Sequence, residues 1–330
     1  MPLDKPAADL ITLDDIERTR AGLPDVVRRT PILPLARDSA EVGNEALFLK
    51  CENLQVTGAY KVRAAFAVMN ALTPEQRAKG LVLASSGNFA QAFAYAGALT
   101  GTPIVIVMLD RASPYKVEAT RGYGAEVVFC GNDALSRQPT VEKIGRERGM
   151  TAIDTWEERP IAMGHGSIGL EIVEDMPLVE TVLVPVSSGG VAAGIAAAVK
   201  LRRPDVRVVG VQPENANAAY VSMQRGEPTT INHWDSIADG LSAVRPGAFP
   251  FRHLQTFMDE IVLVSERDIA VAFRTLLFRS KILAEPAGAV AAAAFLSGRV
   301  PQDRRTVAAV TGGNVTEAMV AQMLEMAAED

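Results

Sequence analysis

Three short apolar runs in this chain each break off into a turn of small residues and pass directly into a helix-forming stretch. Leu81-Val82-Leu83-Ala84 runs into Ser85-Ser86-Gly87-Asn88, Thr181 to Val186 into Ser187-Ser188-Gly189-Gly190, and Thr306 to Val310 into Thr311-Gly312-Gly313-Asn314. Runs this short, bounded by turn residues, read as strands covered on both faces. Similar runs lie at Ile104 to Met108, Glu126 to Cys130, Ala152 to Asp154, Arg207 to Gln212 and Ile261 to Val264, with helical stretches between them. That alternation builds parallel sheets covered by helices. The expectation is α/β: two parallel sheets with a site between them. A helix is expected from Leu13 to Arg29, with Asp14 and Asp15 in its first turn, and another from about Asp133 to Gly149. Arg29-Thr30-Pro31 is expected to be extended, because the residue before proline avoids the helical region.

The turns matter because a strand end entering a helix presents backbone N–H groups outward, where an anion can sit. Ser85 to Asn88 suits a carboxylate, or is simply a cap. Ser187 to Val191 suits a phosphate, with glycine letting the backbone approach, or is a tight strand–helix connection. Thr311 offers a hydroxyl, or caps the final helix. A fourth stretch adds chemistry. The apolar run Ala46 to Leu49 leads through a polar segment with Gly58 into a helix from Tyr60 onward. A lysine at such a junction, Lys61, is either a solvated first-turn residue or an amine aimed into a cleft, where burial would make it a Schiff-base nucleophile.

Composition excludes several classes. A net charge of −6 without a block of Lys or Arg argues against a nucleic-acid partner. The longest apolar run, Ala287 to Leu296, is too short to span a bilayer, and Met1 to Lys5 lacks the pattern of a signal peptide. Two cysteines, Cys51 and Cys130, in 330 residues point to reduced thiols and a cytoplasmic protein. His165, His233 and His253 lack ligand spacing, so no zinc site is expected. The length suits about two domains.

Lys50-Cys51-Glu52-Asn53-Leu54-Gln55-Val56-Thr57-Gly58-Ala59-Tyr60-Lys61-Val62-Arg63-Ala64-Ala65 resembles the Lys-x-Glu-x-x-Gln-x-Thr-Gly-Ser-Phe-Lys-x-Arg-Gly-Ala signature of the threonine and serine dehydratases. These are fold type II (tryptophan synthase β-like) pyridoxal-phosphate enzymes, a family that includes serine racemase. Ser85 to Gln91 is similar to its Ser-x-Gly-Asn-His-Ala-Gln, Ser187 to Gly190 to its tetraglycine loop, and Thr311 to Asn314 to its Ser-Gly-Gly-Asn turn. Gly164 to Glu171 is similar to its Gly-Gln-Gly-Thr-x-x-x-Glu, with His165 in place of glutamine, and Ile237 to Leu241 and Glu285 to Ala289 also match. The likeness runs from about Arg29 to Glu317.

The resemblance implies a cofactor, pyridoxal 5′-phosphate, held by Lys61. It further implies Asn88 on the pyridoxal 3′-oxygen, Ser187, Ser188, Gly189, Gly190 and Val191 around the phosphate, Gly240 near the ring, and Thr311 on the pyridine nitrogen. A neutral hydroxyl there does not stabilise a protonated ring, which favours prompt loss of a β-substituent over transamination. Ser85, Ser86, Gly87, Phe89 and Ser242 are implied substrate contacts. Lys61 and Ser86 are implied as catalytic residues, Ser86 matching the second acid–base group of serine racemase. Phe89 stands where the pattern has histidine, which points to a more apolar pocket wall. His165 is expected to be a hydrogen-bonding core or rim residue. Gln212 and Ala218 replace the carboxylates that metal-activated relatives carry, so no structural metal site is expected.

In the resembling family a smaller domain is inserted in the larger, which here gives residues 80–157 inside a large domain of residues 1–79 and 158–330. The implied activity is elimination of the β-hydroxyl of L-threonine, L-serine or a relative such as hydroxyaspartate or phenylserine, giving a 2-oxo acid and ammonia. The leaving hydroxyl takes its proton from the cofactor phosphate. The alternatives are an amino-acid racemase using Ser86 opposite Lys61 and, in another class, a non-catalytic ligand-binding relative, against which Lys61, Asn88 and Thr311 argue. The family also implies a homodimer. With little chain after the last motif, no C-terminal effector domain and no isoleucine feedback are expected.

Overall fold

The computed structural model describes residues 10–35, 46–133 and 136–328. Among the described residues ten strands form two sheets. They are β1 (Ile32–Pro34), β2 (Leu47–Cys51), β3 (Leu81–Ala84), β4 (Ile104–Met108), β5 (Glu126–Phe129), β6 (Thr151–Ile153), β7 (Thr181–Pro185), β8 (Arg207–Pro213), β9 (Glu260–Val264) and β10 (Thr306–Val310). Thirteen α-helices accompany them among the described residues. The first seven are α1 (Leu13–Ala21), α2 (Lys61–Ala71), α3 (Pro74–Lys79), α4 (Asn88–Thr100), α5 (Pro114–Gly122), α6 (Arg137–Arg148) and α7 (Arg159–Asp175). The rest are α8 (Gly190–Arg202), α9 (Ala218–Arg225), α10 (Ala248–Phe257), α11 (Glu266–Arg279), α12 (Pro286–Leu296) and α13 (Glu317–Met326).

The larger sheet has the order β1-β2-β10-β7-β8-β9 and the smaller β5-β4-β3-β6. All pairings are parallel except β1 with β2, so the expectation of two parallel sheets holds apart from one antiparallel edge strand. That strand follows directly from the extended segment set up by Pro31. The first helix is shorter than expected: α1 stops at Ala21 because Gly22 caps it and Pro24 follows, while Thr12 and Asp15 close a capping box at its start.

The strand order has a consequence for function. β2, β10 and β7 are adjacent, and each ends in one of the motifs, so the segment leading to Lys61, the Thr311 turn and the Ser187 turn emerge side by side. Register places Val310 beside Cys51 and Thr306 beside Thr181. Ligands of open parallel sheets sit at this carboxyl edge. The fourth motif, Ser85 to Asn88, leaves the carboxyl end of β3, the strand flanked by β4 and β6 in the smaller sheet. α2 bridges the two sheets: Val62, Ala65, Phe66 and Met69 join the core around Leu81, Leu83, Phe93 and Ile106, while Gly164 of α7 seats flush on it, since a Cβ there would meet the Arg63 carbonyl at 2.7 Å. No helix among the described residues is long and apolar enough to cross a membrane.

Candidate active site

Lys61 opens α2 from a loop that is unusually constrained. Thr57 has φ 67° and Gly58 φ 73°, the left-handed region that a β-branched residue such as Thr57 enters only when its surroundings force it. The restraint comes from the Thr311 turn. Gly313 N–H donates to the Gly58 carbonyl at 2.9 Å, Tyr60 N–H to the Thr311 carbonyl at 3.1 Å, and Asn314 Nδ2 to the Thr57 carbonyl at 2.8 Å. The loop before Lys61 and the end of β10 therefore form one unit.

The Lys61 amine lies 4.4 Å from the centre of the Tyr60 ring and 4.0 Å from that of Phe89. It has no hydrogen-bond partner among the described residues. Burial pushes its pKa down to about 7, opposed only by the nearby Glu285 carboxyl. Such an amine is largely unprotonated just above neutrality and serves as nucleophile or base.

Asn88 is fixed from both sides. Its Oδ1 accepts from Asn314 Nδ2 at 2.9 Å and its Nδ2 donates to Glu285 Oε1 at 2.7 Å. The acceptor and one N–H are thereby taken, which leaves one N–H to offer. Glu285 stands before Pro286 at the start of α12, its N–H bonded to the Gly312 carbonyl at 2.8 Å. Burial, then the charge of Asp239, raise its pKa to about 7.

At the end of β7, Gly189 takes φ 105° and α8 begins at Gly190 without a side-chain cap. The N–H groups of Ser188, Gly189, Gly190 and Val191 donate to no backbone carbonyl among the described residues. This is an open donor cradle at a helix N-terminus, suited to a phosphate. Ser187 Oγ accepts from Ala243 N–H at 3.4 Å, which puts Ser242 beside the cradle. Gly240 lies against Ala287 of α12, two residues from Glu285. Thr311 is buried, its hydroxyl without a partner among the described residues.

Ser85, Ser86, Gly87 and Phe89 are half-buried at the β3–α4 junction; Gly87 N–H bonds Ser85 Oγ at 3.3 Å. Phe89 reaches the Lys61 amine as described, whereas Ser86 makes no hydrogen bond to Lys61. An ion pair, Lys116 Nζ to Asp239 at 2.6 Å, ties α5 beside the smaller sheet to the segment carrying Gly240. His165 is fully buried, as a core residue, but neither ring nitrogen has a hydrogen-bond partner among the described residues, contrary to expectation. At Gln212 the amide donates to the carbonyls of Val186 and Ala216 and accepts from Tyr220 N–H, so it closes its own loop.

Two features escape a reading of motifs alone. Glu285 sits in a segment that matches a family pattern, but only the fold brings it to Asn88. The second is a buried cluster of four charges. Arg63 bonds Glu52 (2.8 Å) and Glu171 (2.7 Å), and Lys50 bonds Glu171 at 2.6 Å. It ties the first turn of α2 to β2 and α7. Lys50, Glu52 and Arg63 all lie in the Lys61 signature, which was the available signal.

An amine of lowered pKa, an amide with a spare N–H, an unpartnered hydroxyl and an open phosphate cradle fit pyridoxal phosphate at its aldehyde, ring oxygen, ring nitrogen and phosphate. Comparison with known proteins agrees. Residues 23–312 match the family model "Pyridoxal-phosphate dependent enzyme". The chain is 38% identical over 322 residues to the catabolic L-threonine dehydratase TdcB of Staphylococcus aureus (strain USA300), covering 96% of this chain and 93% of that one. Its fold is similar to maize serine racemase, with TM-score 0.89, 31% identity and coverage of 96% and 98%. It is also similar to processed threonine deaminase isoform 2 from Solanum lycopersicum, with TM-score 0.89, 26% identity and 100% of both chains covered. The chain belongs to the family of pyridoxal-phosphate dependent enzymes.

Proposed function

We propose that this protein is an ammonia-lyase that removes the β-hydroxyl of a hydroxy amino acid, L-threonine or L-serine first among them, to give a 2-oxo acid and ammonia. The observation that carries this reading is the Lys61 amine: half-buried, unpartnered and poised near neutrality beside Asn88 and the Thr311 turn. The identity to a threonine dehydratase over almost the whole chain supports it. Lys61, Asn88, Thr311 and the donors from Ser187 to Val191 would hold the cofactor, with Gly240 against the ring. Pyridoxal phosphate supplies the electron-withdrawing ring that makes the substrate's α-proton acidic. Lys61 takes that proton. The hydroxyls of Ser85 and Ser86 and the Ser86 N–H orient the carboxylate over Gly87, and Phe89 and Ser242 line the side-chain end. Residues 80–157 act as the domain that closes over substrate, with α5 and its Lys116–Asp239 pair at the mouth. A cytoplasmic homodimer goes with this reading.

A racemase is the second reading. The similarity to maize serine racemase favours it, as does Ser86, whose hydroxyl makes no hydrogen bond among the described residues and could return a proton to the α-carbon. One experiment separates the two. The loaded enzyme is given L- and D-threonine, L- and D-serine, hydroxyaspartate and phenylserine, and both 2-oxo acid and the enantiomer of residual substrate are followed. Keto acid from one of them, lost in Lys61→Ala, is the expected result. Enantiomer without keto acid would replace the lyase by the racemase, and neither product would reject both.

A further inference from the structure

The fully buried His165 has two ring nitrogens with no hydrogen-bond partner among the described residues, and this needs a physical reason. A buried imidazole normally bonds through at least one nitrogen, because each orphaned polar group carries its full desolvation cost. His253 shows the usual arrangement in the same protein: Nε2 accepts from Ile11 N–H at 2.9 Å and Nδ1 lies 3.0 Å from the Phe249 carbonyl.

The surroundings of His165 contain a second group with the complementary deficiency. Its ring centre lies 4.7 Å from that of Tyr60 and 6.1 Å from that of Phe89. The Lys61 amine is packed against the same two rings, at 4.4 and 4.0 Å, and also lacks a hydrogen bond. A donor without an acceptor and a ring without a donor thus share one aromatic box. The backbone holds them there. Gly164, directly before His165, lets α7 lie against Arg63 and Ala64 of α2, so α7 meets α2 one turn from Lys61.

We propose that His165 is the positioning residue for the Lys61 amine: a ring nitrogen of the neutral imidazole accepts a hydrogen bond from Nζ once the amine has taken a proton and turned from the Tyr60 and Phe89 ring faces, where it rests when free. This deepens the reading of Lys61 as the base of the reaction, and rests on it. The bond stabilises the ammonium that Lys61 becomes on taking the α-proton, and holds it where it can return that proton. Burial first, then the charges of Lys61 and Arg63, keep the imidazole far below its ordinary pKa, so it stays an acceptor. The other ionisable groups around the pair are Tyr60 in the same box, Glu285 at the start of α12, which acts on the amine, and Arg63 on α2, which acts on the imidazole. Arg63 is occupied by Glu52 and Glu171, and Glu285 by Asn88.

The test measures the titration of Lys61 itself. The full-length protein, stripped of cofactor, is treated with a small uncharged acylating reagent across a pH series, and acylation of the Lys61 peptide is followed by mass spectrometry. His165→Phe fills the same space without an acceptor and removes two unpaired nitrogens, so it is expected to fold; His165→Met takes its place if it does not. His165→Gln restores an acceptor. Losing a hydrogen bond to a charged group is expected to lower the Lys61 midpoint in H165F by about one unit, roughly tenfold in the ammonium-to-amine ratio. H165Q is expected to stay near wild type. A Lys61 midpoint in H165F equal to wild type, or an equal drop in H165F and H165Q, would overturn the proposal. Because no substrate is involved, a shift found in a protein that makes no keto acid rejects the lyase reading alone. Keto acid production with no shift rejects this one alone.

Discussion

Asn88 Nδ2 donates to Glu285 Oε1 across 2.7 Å, joining the helix that follows β3 to the helix that begins at Pro286. With Asn314 Nδ2 on its Oδ1, Asn88 cannot flip without losing both bonds. Its remaining N–H is the donor proposed for the cofactor's ring oxygen. Glu285 is therefore expected to act on cofactor affinity through Asn88. Glu285→Leu removes the acceptor and should weaken pyridoxal phosphate binding by roughly tenfold, the worth of one hydrogen bond to a charged group. Glu285→Gln keeps an acceptor and should bind within a few-fold of wild type. Equilibrium dialysis of the cofactor measures both, and equal affinities in E285L and wild type would refute the role.

The same carboxyl and the Lys61 amine give the cofactor-free protein a pH signature. The Glu285 pKa rises from 4.5 to about 7 on folding, so across that window the folded chain holds a proton that the unfolded chain has lost, and stability falls as pH rises. The Lys61 pKa falls from 10.5 to about 7, so above pH 7 the unfolded chain holds the extra proton and stability rises toward pH 10.5. Lys61→Ala should therefore be more stable than wild type below pH 7, by on the order of a few kcal/mol, and lose that advantage toward pH 10.5. Urea unfolding at pH 6 and pH 10 checks the sign. The loaded variant should lose roughly 10³-fold or more in turnover.

The parts of this fold that sequence reveals are those governed by local rules. Short apolar runs and glycine turns each express themselves within a few residues, so the strands and both sheets were legible. The end of α1 was not, because apolar residues continue past Gly22 and only the cap shows the break. The antiparallel pairing of β1 was missed because it depends on which edge of the larger sheet lay free, a tertiary fact. Lys61, Asn88 and Thr311 were legible through motif order. Glu285 and His165 were not: their roles depend on neighbours 197 and more than 100 positions away in the chain, which only packing reveals.

The buried charges behind Lys61 are expected to be unforgiving. Glu171 pairs with both Lys50 and Arg63, all within the core. Glu171→Ala leaves Arg63 with Glu52 alone and the buried Lys50 with only Asp175 at 4.0 Å, and should cost about 3–5 kcal/mol. By contrast Arg29, half exposed, pairs with Glu174 and Asp175 at the surface, and Arg29→Ala should cost about 1 kcal/mol or less. Urea titrations compare the two. A small effect at Glu171 would mean the cluster relaxes or draws in water.

Gly58 tests whether the loop before Lys61 is held for the sake of the site. Its φ of 73° suits glycine, and a Cβ at this position would fall 2.3 Å from Asn314 Oδ1. Gly58→Ala therefore both strains the backbone and pushes Asn314 away from the Thr57 carbonyl and from Asn88. Strain of this kind costs on the order of 1–3 kcal/mol. The effect should not stop at stability, because Asn314 is one of the two groups that orient the Asn88 amide. Cofactor affinity should fall in G58A, and Asn314→Ala, which removes the clash but not the φ strain, should give back only the part of the stability lost to the clash in the double variant, without restoring affinity. Thermal unfolding paired with cofactor binding reads both. If G58A loses stability but binds pyridoxal phosphate as wild type does, the loop supports the fold alone and Asn314 does not orient Asn88.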